Sequence, residues 1–340
     1  MTPALSPGVP APSTAKTSWI ISRRDDLMWF VGSALAGYLA LALMAVGFPF
    51  MLIYFVWFVG VDGPHVIATV TRTYFDKQQR TRLGWLLWTL PALMLIGPAM
   101  VWMGQASLFY LFAVCWQHFH IAKQHVGFVM LWKAKNKERE PLEGKLDRWF
   151  LLTSTILPLT LFVVRTRLAS LTPYVWIPEA VYALLAIAYV GYQVRKWRAG
   201  KPMNTPKLML LGVLVPLQWI AFGYAATLGP DGIIRAGIAL GLFHSFQYHR
   251  LLWFHNKNRY RAPDAREKHG FAAFLAKDVG YYVFAAIGLH ALTIIAPQAM
   301  FPAVEWLKAA MWGLPFMHYL LDSKIWRVRG DRELAAALGM

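Results

Sequence analysis

The stretch FMLIYFVWFVGVDGPHVIATVTRTYFDKQQRTR, residues 50–82, decides the fold class. Its first part, 50–71, is predominantly apolar and about as long as a helix must be to cross roughly 30 Å of hydrocarbon. The part that follows, 72–82, carries Arg72, Lys77, Arg80 and Arg82 against the single acid Asp76. An apolar run that stops at a basic cluster is the pattern of a membrane helix emerging on the cytoplasmic side.

Outward from this stretch the pattern repeats. Ten apolar segments are predicted, at 27–48, 50–71, 83–103, 106–132, 149–165, 173–194, 207–228, 232–255, 278–299 and 302–325. Basic connections (72–82, 133–148, 195–207, 255–270 and the end from Lys324) alternate with short, nearly uncharged ones (104–107, 228–232 and the turn between Pro297 and Pro302). Assigning the basic set to the cytoplasm leaves Arg165, Arg167, Arg235 and Lys308, four of 34 basic residues, on the far side. This asymmetry puts both termini inside and makes the number of crossings even. The expected architecture is therefore an all-α integral membrane protein of the cell (inner) membrane. A Pro-, Ala- and Ser-rich disordered tail spans 1–17, a single polytopic domain 18–330, and a short C-terminal tail 331–340.

Composition agrees. Of 340 residues, 57% are hydrophobic and 15% charged, whereas soluble domains carry about 25% charge. The net charge of +17 would suggest nucleic acid in a soluble protein; here retention of basic residues on one membrane face accounts for it, and no nucleic-acid partner is expected. The single cysteine, Cys115, excludes a disulfide framework, a thiolate zinc site and a Cys-ligated iron–sulfur cluster. The N-terminal tail has no apolar core like that of a cleavable signal, so the first span is expected to direct insertion. Many of the sixteen tryptophans fall near span ends, as interfacial anchors do.

Of ten histidines, eight lie in or at the ends of four spans: His65; His118, His120 and His125; His244, His249 and His255; and His318. These four spans all run toward the cytoplasm. Counting from His65 to Arg72, His118 to Lys123, His244 to Arg250 and His318 to Lys324 puts one histidine per helix roughly 8–10 Å inside the interface. His65, His118, His244 and His318 are accordingly the expected metal ligands. His125, His249 and His255 are further candidates, His125 and His255 because they share helical faces with His118 and His244. Asp322 and Tyr248, four residues after His318 and His244, are the candidate catalytic groups. Asp62-Gly63-Pro64-His65 is expected to break its helix, with Asp62 as a cap. Gln117, Gln124 and Gln247 complete the expected polar pocket. His120 and His249 point away from the stripes and have a structural role as their other reading, whereas His269 is expected to be solvated and His290 structural. Lys123 and Arg250 read as interfacial anchors.

Imidazoles without thiolates suit iron, zinc or copper, and a carboxylate can complete such a site. WQHFHIAKQH (116–125) and HSFQYHRLLWFH (244–255) resemble the histidine boxes of membrane fatty-acid desaturases and hydroxylases. The HxxxH and HxxHH spacings of that group do not occur here. The layout also resembles the Brp/Blh type of carotenoid-cleaving dioxygenase, whose single iron is held by scattered histidines, one introduced by a turn similar to Asp62-Gly63-Pro64-His65. The resemblance implies a membrane-embedded non-haem iron oxygenase, with one or two irons, an apolar lipid-like or isoprenoid substrate drawn from the bilayer, and an electron donor among its partners. Three other readings remain open on the residues alone: a b-type haem clamped by facing histidines in an electron-transfer protein, a metal or proton transporter, and a membrane transferase. The transporter suffers from the scarcity of buried acids and the transferase from the absence of DxxxD and HxxxxD spacings.

Overall fold

The computed structural model describes residues 18–340; the tail expected over residues 1–17 lies outside the described residues. The chain is all-α, and among the described residues the only β-type pairing is an isolated bridge between Asp76 and Gly270. Ten helical rods follow one another: α1 Arg23–Ala45, α2 Phe50–Thr73, α3 Trp85–Trp102, α4 Ala106–Lys135, α5 Pro141–Arg167, α6 Trp176–Arg198, α7 Thr205–Thr227, α8 Ile233–Arg259, α9 Val279–Met300, and α10, made of Glu305–Met311 and Gly313–Ile325.

Seven of these, α1–α3, α5–α7 and α9, are long and apolar enough to cross a membrane. The remaining three, α4, α8 and α10, carry seven of the ten histidines. Side chains that build a polar site dilute apolar content, so length and composition single out seven helices rather than the ten expected.

Three boundaries differ from expectation, each for a local reason. α5 begins at Pro141 rather than near 149, because proline suits the first helical turn and because Glu143 and Asp147 are buried among lysines. The C-terminal segment folds back: Asp331 caps a helix at Arg332–Ala337, and Asn258 on α8 donates to the Ala337 carbonyl at 2.8 Å. The third concerns Asp62-Gly63-Pro64. α2 runs through this sequence, widened into a π-helical stretch at Val56–Asp62, and Asp62 forms no cap. The Gly63 N–H reaches back five residues to Phe58, a register that absorbs the proline without ending the helix. Gly63 is required there: a Cβ would sit 2.0 Å from the His290 ring of α9.

α8 is the hub. It packs along α1 and α7 and against the π-helical part of α2, with α4 and the C-terminal helix also in contact. Gly241 lets α2 approach, since a Cβ there would stand 2.5 Å from the Trp57 indole nitrogen. Close approach through small residues is the usual device where lipid provides no hydrophobic drive between helices. α6, by contrast, leans mainly on α5, and 11% of its apolar window is buried against 50% for α2. The polar interior lies where α2, α4, α8 and α10 converge.

Candidate metal centre

Each of the four converging helices supplies one histidine: His65 from α2, His120 from α4, His244 from α8 and His318 from α10. All four are buried, and one ring nitrogen from each lies within 4.8 Å of all the others. His65 Nε2 is 3.0 Å from His318 Nε2 and 3.1 Å from His244 Nε2. The rings meet edge to face, with centroids 4.6 Å apart for His65 and His318 and 5.0 Å for His120 and His244.

The surroundings set the tautomers. His65 Nδ1 lies 2.6 Å from the Asp62 carbonyl, which can only accept, so Nδ1 bears the proton and Nε2 presents a lone pair. The π-helical turn of α2 aims that carbonyl. Ser245 Oγ stands 3.1 Å from the same Nδ1 and donates to Asp62 Oδ1 at 2.9 Å. His318 Nδ1 lies 2.6 Å from Thr69 Oγ1, which is also 3.2 Å from Asp322 Oδ1, so the hydroxyl holds the ring through its far nitrogen. The Nε2 atoms of His65 and His318 thus face each other at 3.0 Å, close enough to bind one cation between them. The Nε2 of His120 and the Nδ1 of His244 are buried without a hydrogen-bond partner. An imidazole held through its far nitrogen by a carbonyl, hydroxyl or carboxylate is the normal state of a metal-ligating histidine. The four-histidine group could thus bind a metal ion.

Asp322 and Tyr248 stand beside this group. Tyr248 donates to Asp322 Oδ1 at 3.0 Å and is 2.6 Å from Thr69. The other oxygen, Oδ2, lies 3.8 Å from His318 Nε2 and 4.0 Å from His120 Nε2. His120 stacks on Tyr319, with centroids 4.5 Å apart and planes at 25°.

The other histidines have their own surroundings. His118, from the expected layer, faces away: its Nε2 meets the Thr155 carbonyl at 2.7 Å, and its ring abuts Phe222. His125 points its Nδ1 at the Ile121 carbonyl one turn back, 2.9 Å away, and packs on Phe243. His249 bridges the Tyr282 hydroxyl at 2.7 Å and the Val61 carbonyl at 3.1 Å, behind His65. His255 is paired with Asn256 and Trp326. His290 is buried in α9 with neither nitrogen bonded. His269 is buried rather than solvated, its Nδ1 3.4 Å from Asp76, because the 260–275 segment folds over that carboxylate. Arg72, used as an interface marker, is also buried: it donates to the Ile325 carbonyl and lies 3.9 Å over the Trp326 ring.

Sequence reasoning left His120 open between a structural role and a ligand and did not single out Thr69, Ser245 or Tyr319. A usable signal exists for the first. His120 and Gln124 are four apart on one face of α4, and Gln124 donates to the His244 carbonyl at 3.0 Å. Thr69, likewise, is one helical turn beyond His65.

Two cavities meet at the histidines. The larger, about 730 Å³, lies between α4 and α10 and is walled by Phe119, His120, Gly127, Tyr248, Tyr319 and Asp322. The smaller, about 350 Å³, is lined by Trp57, His65, Phe222, Leu240, His244 and Tyr319. His120 and Tyr319 belong to both walls. Comparison of the chain with family models, with curated proteins and with solved structures finds no match.

Proposed function

We propose that the four histidines hold a single non-haem metal ion, iron, and that the protein is a membrane-embedded oxygenase or oxidase acting on a lipid-like or isoprenoid substrate. The observation that carries this reading is the convergence of His65 Nε2 and His318 Nε2 at 3.0 Å, each ring held by a hydrogen bond on its opposite nitrogen. Nitrogens bound about 2.0–2.1 Å from one ion at angles near 90–110° stand roughly 2.9–3.4 Å apart, which matches the spacing found. The donor set is all-imidazole with a carboxylate nearby, a combination suited to iron. Ring centroids 4.6–5.0 Å apart leave no gap for a porphyrin between opposed histidines, which weighs against the haem reading.

Bound iron would supply oxidative chemistry with dioxygen, with an electron donor if the reaction needs one. The chain's own groups would do the rest. Thr69 and Tyr248 hold Asp322 Oδ1, leaving Oδ2 facing His120 and His318 and able to take or return a proton beside the substrate. The His120–Tyr319 stack separates the two apolar cavities, so a substrate in either passes within reach of the same centre while the surrounding helices exclude water. In this reading all ten rods cross the membrane, both termini are cytoplasmic, and the centre lies toward the cytoplasmic leaflet. The partition of basic residues supports it.

The deciding experiment is metal analysis with an optical spectrum on gently extracted protein. About one iron per chain without a Soret band is expected; a Soret band, or no transition metal, overturns the reading.

A further inference from the structure

We infer that the larger cavity takes a single-chain amphiphile with an anionic headgroup, and that Lys123, Arg327 and Arg329 seat that headgroup. That this amphiphile is the substrate rests on the oxidative reading above; that it binds rests on the cavity alone.

The cavity runs beside α4 from Trp116 to Ala134, roughly 27 Å at 1.5 Å per residue. Its volume of about 730 Å³ falls within the range of ligand sites. A space so long for its volume suits an extended chain better than a compact ring system. Most of its lining is apolar, with Phe119, Met130, Leu131, Leu320 and Leu338 among the walls. Phe119 is 47% exposed, so the wall opens laterally, the direction from which a lipid would come.

Charge gives the chain its direction. Lys123, Arg327 and Arg329 line the cavity and are exposed, and among the described residues none of them makes an ion pair or a side-chain hydrogen bond. Two other basic groups are spoken for: Arg250 pairs with Asp25, and Lys133 with Glu138 and Asp147. The lining's acidic side chain, Asp322, is buried at the histidine end. An anion would be repelled there and held by the cationic trio, so the apolar chain is left to run past His120 and Tyr319. Guanidinium and ammonium groups recognise carboxylate and phosphate alike.

The test uses metal-free full-length protein in phosphatidylcholine nanodiscs and displacement of a fluorescent long-chain carboxylate by oleate, oleyl phosphate, oleyl alcohol and oleylamine. One or both anions should bind at least about tenfold more tightly than the alcohol or the amine, and their affinity should fall as salt is raised. A preference between the two anions identifies the headgroup as carboxylate or phosphate. Substituting Lys123→Gln, Arg327→Gln and Arg329→Gln together should remove the anion's advantage and leave the alcohol unchanged. Gly127 faces the cavity with nothing within 4 Å of a Cβ built on it, so Gly127→Phe should abolish binding of all four. Equal affinity for alcohol and anion, or an unchanged anion affinity in the triple variant, overturns the inference. Because no iron is present, binding can succeed while the oxidative reading fails, or the reverse.

Discussion

Among the buried polar clusters of the described residues, two are finished differently. At the ends of α4, α5, α6 and α7, three lysines meet three carboxylates. Lys207 reaches Glu143 at 2.8 Å and Asp147 at 2.9 Å, Lys196 reaches Glu143 at 2.9 Å, and Lys133 reaches Asp147 at 2.7 Å and Glu138 at 3.1 Å. Tyr189 and Asn204 add hydrogen bonds to Asp147 and Glu138. Formal charges cancel, and each charged group has a partner within the cluster. At the crossing of α2, α4, α8 and α10, His65 and His318 are hydrogen-bonded on the far side of their rings, His244 Nδ1 and His120 Nε2 have no partner, and one nitrogen of each ring faces the others. Burying polar groups is tolerated when they are satisfied internally. The first cluster meets that condition by itself, whereas the second leaves nitrogens that a cation could satisfy. The contrast separates a structural rivet from a binding site using only donor and acceptor bookkeeping.

Three groups of substitutions would break or sharpen this comparison, in descending size. Replacing His65, His120, His244 or His318 with Ala should each remove essentially all bound metal, measured as iron per chain on folded, monodisperse protein. If His120→Ala keeps its metal and His118→Ala loses it, the assignment of α4's ligand is wrong. In the rivet, Lys207→Met removes one charge from a sealed network and should cost about 3–5 kcal/mol, because uncompensated carboxylates remain. Thermal unfolding would show this as a large fall in midpoint with iron content of the surviving fold intact; an unchanged midpoint would mean that water already reaches the cluster. Thr69→Val keeps shape but withdraws the hydroxyl that orients His318, and should weaken metal affinity about 10- to 100-fold. Its comparator is His118→Phe, where loss of one interhelical hydrogen bond should cost only about 0.6 kcal/mol and leave metal affinity unchanged. Competition with a chelator measures both; equal effects would erase the distinction between orienting and structural groups.

Much of the helical layout was legible because membrane helices announce themselves locally. Apolar length and flanking charge are properties of consecutive residues, and the observed rods begin and end close to the runs read from the chain. α5 began eight residues early because Glu143 and Asp147 are polar in the chain but buried against lysines from three other helices, which no window of consecutive residues reveals. Residues 62–65 look like a helix break for a similar reason. Proline and glycine weaken an α-helix taken alone, but a π-helical turn carries α2 through them, and Gly63 leaves room for the His290 ring.

The chain by itself determined that this is an all-α protein with many apolar helices, rich in histidine on four of them and lacking thiolate ligands. These follow from composition and periodicity, which act at short range. Which histidines meet was decided by tertiary structure alone. His118 and His120 lie 200° apart around α4, and either could face the interior until α5 and α7 cover one side. Thr155 and Phe222 take up His118, which leaves His120 turned toward His65, His244 and His318. The rotation of a helix about its own axis is set by the neighbours it packs against, and those neighbours come from chain segments far away in sequence.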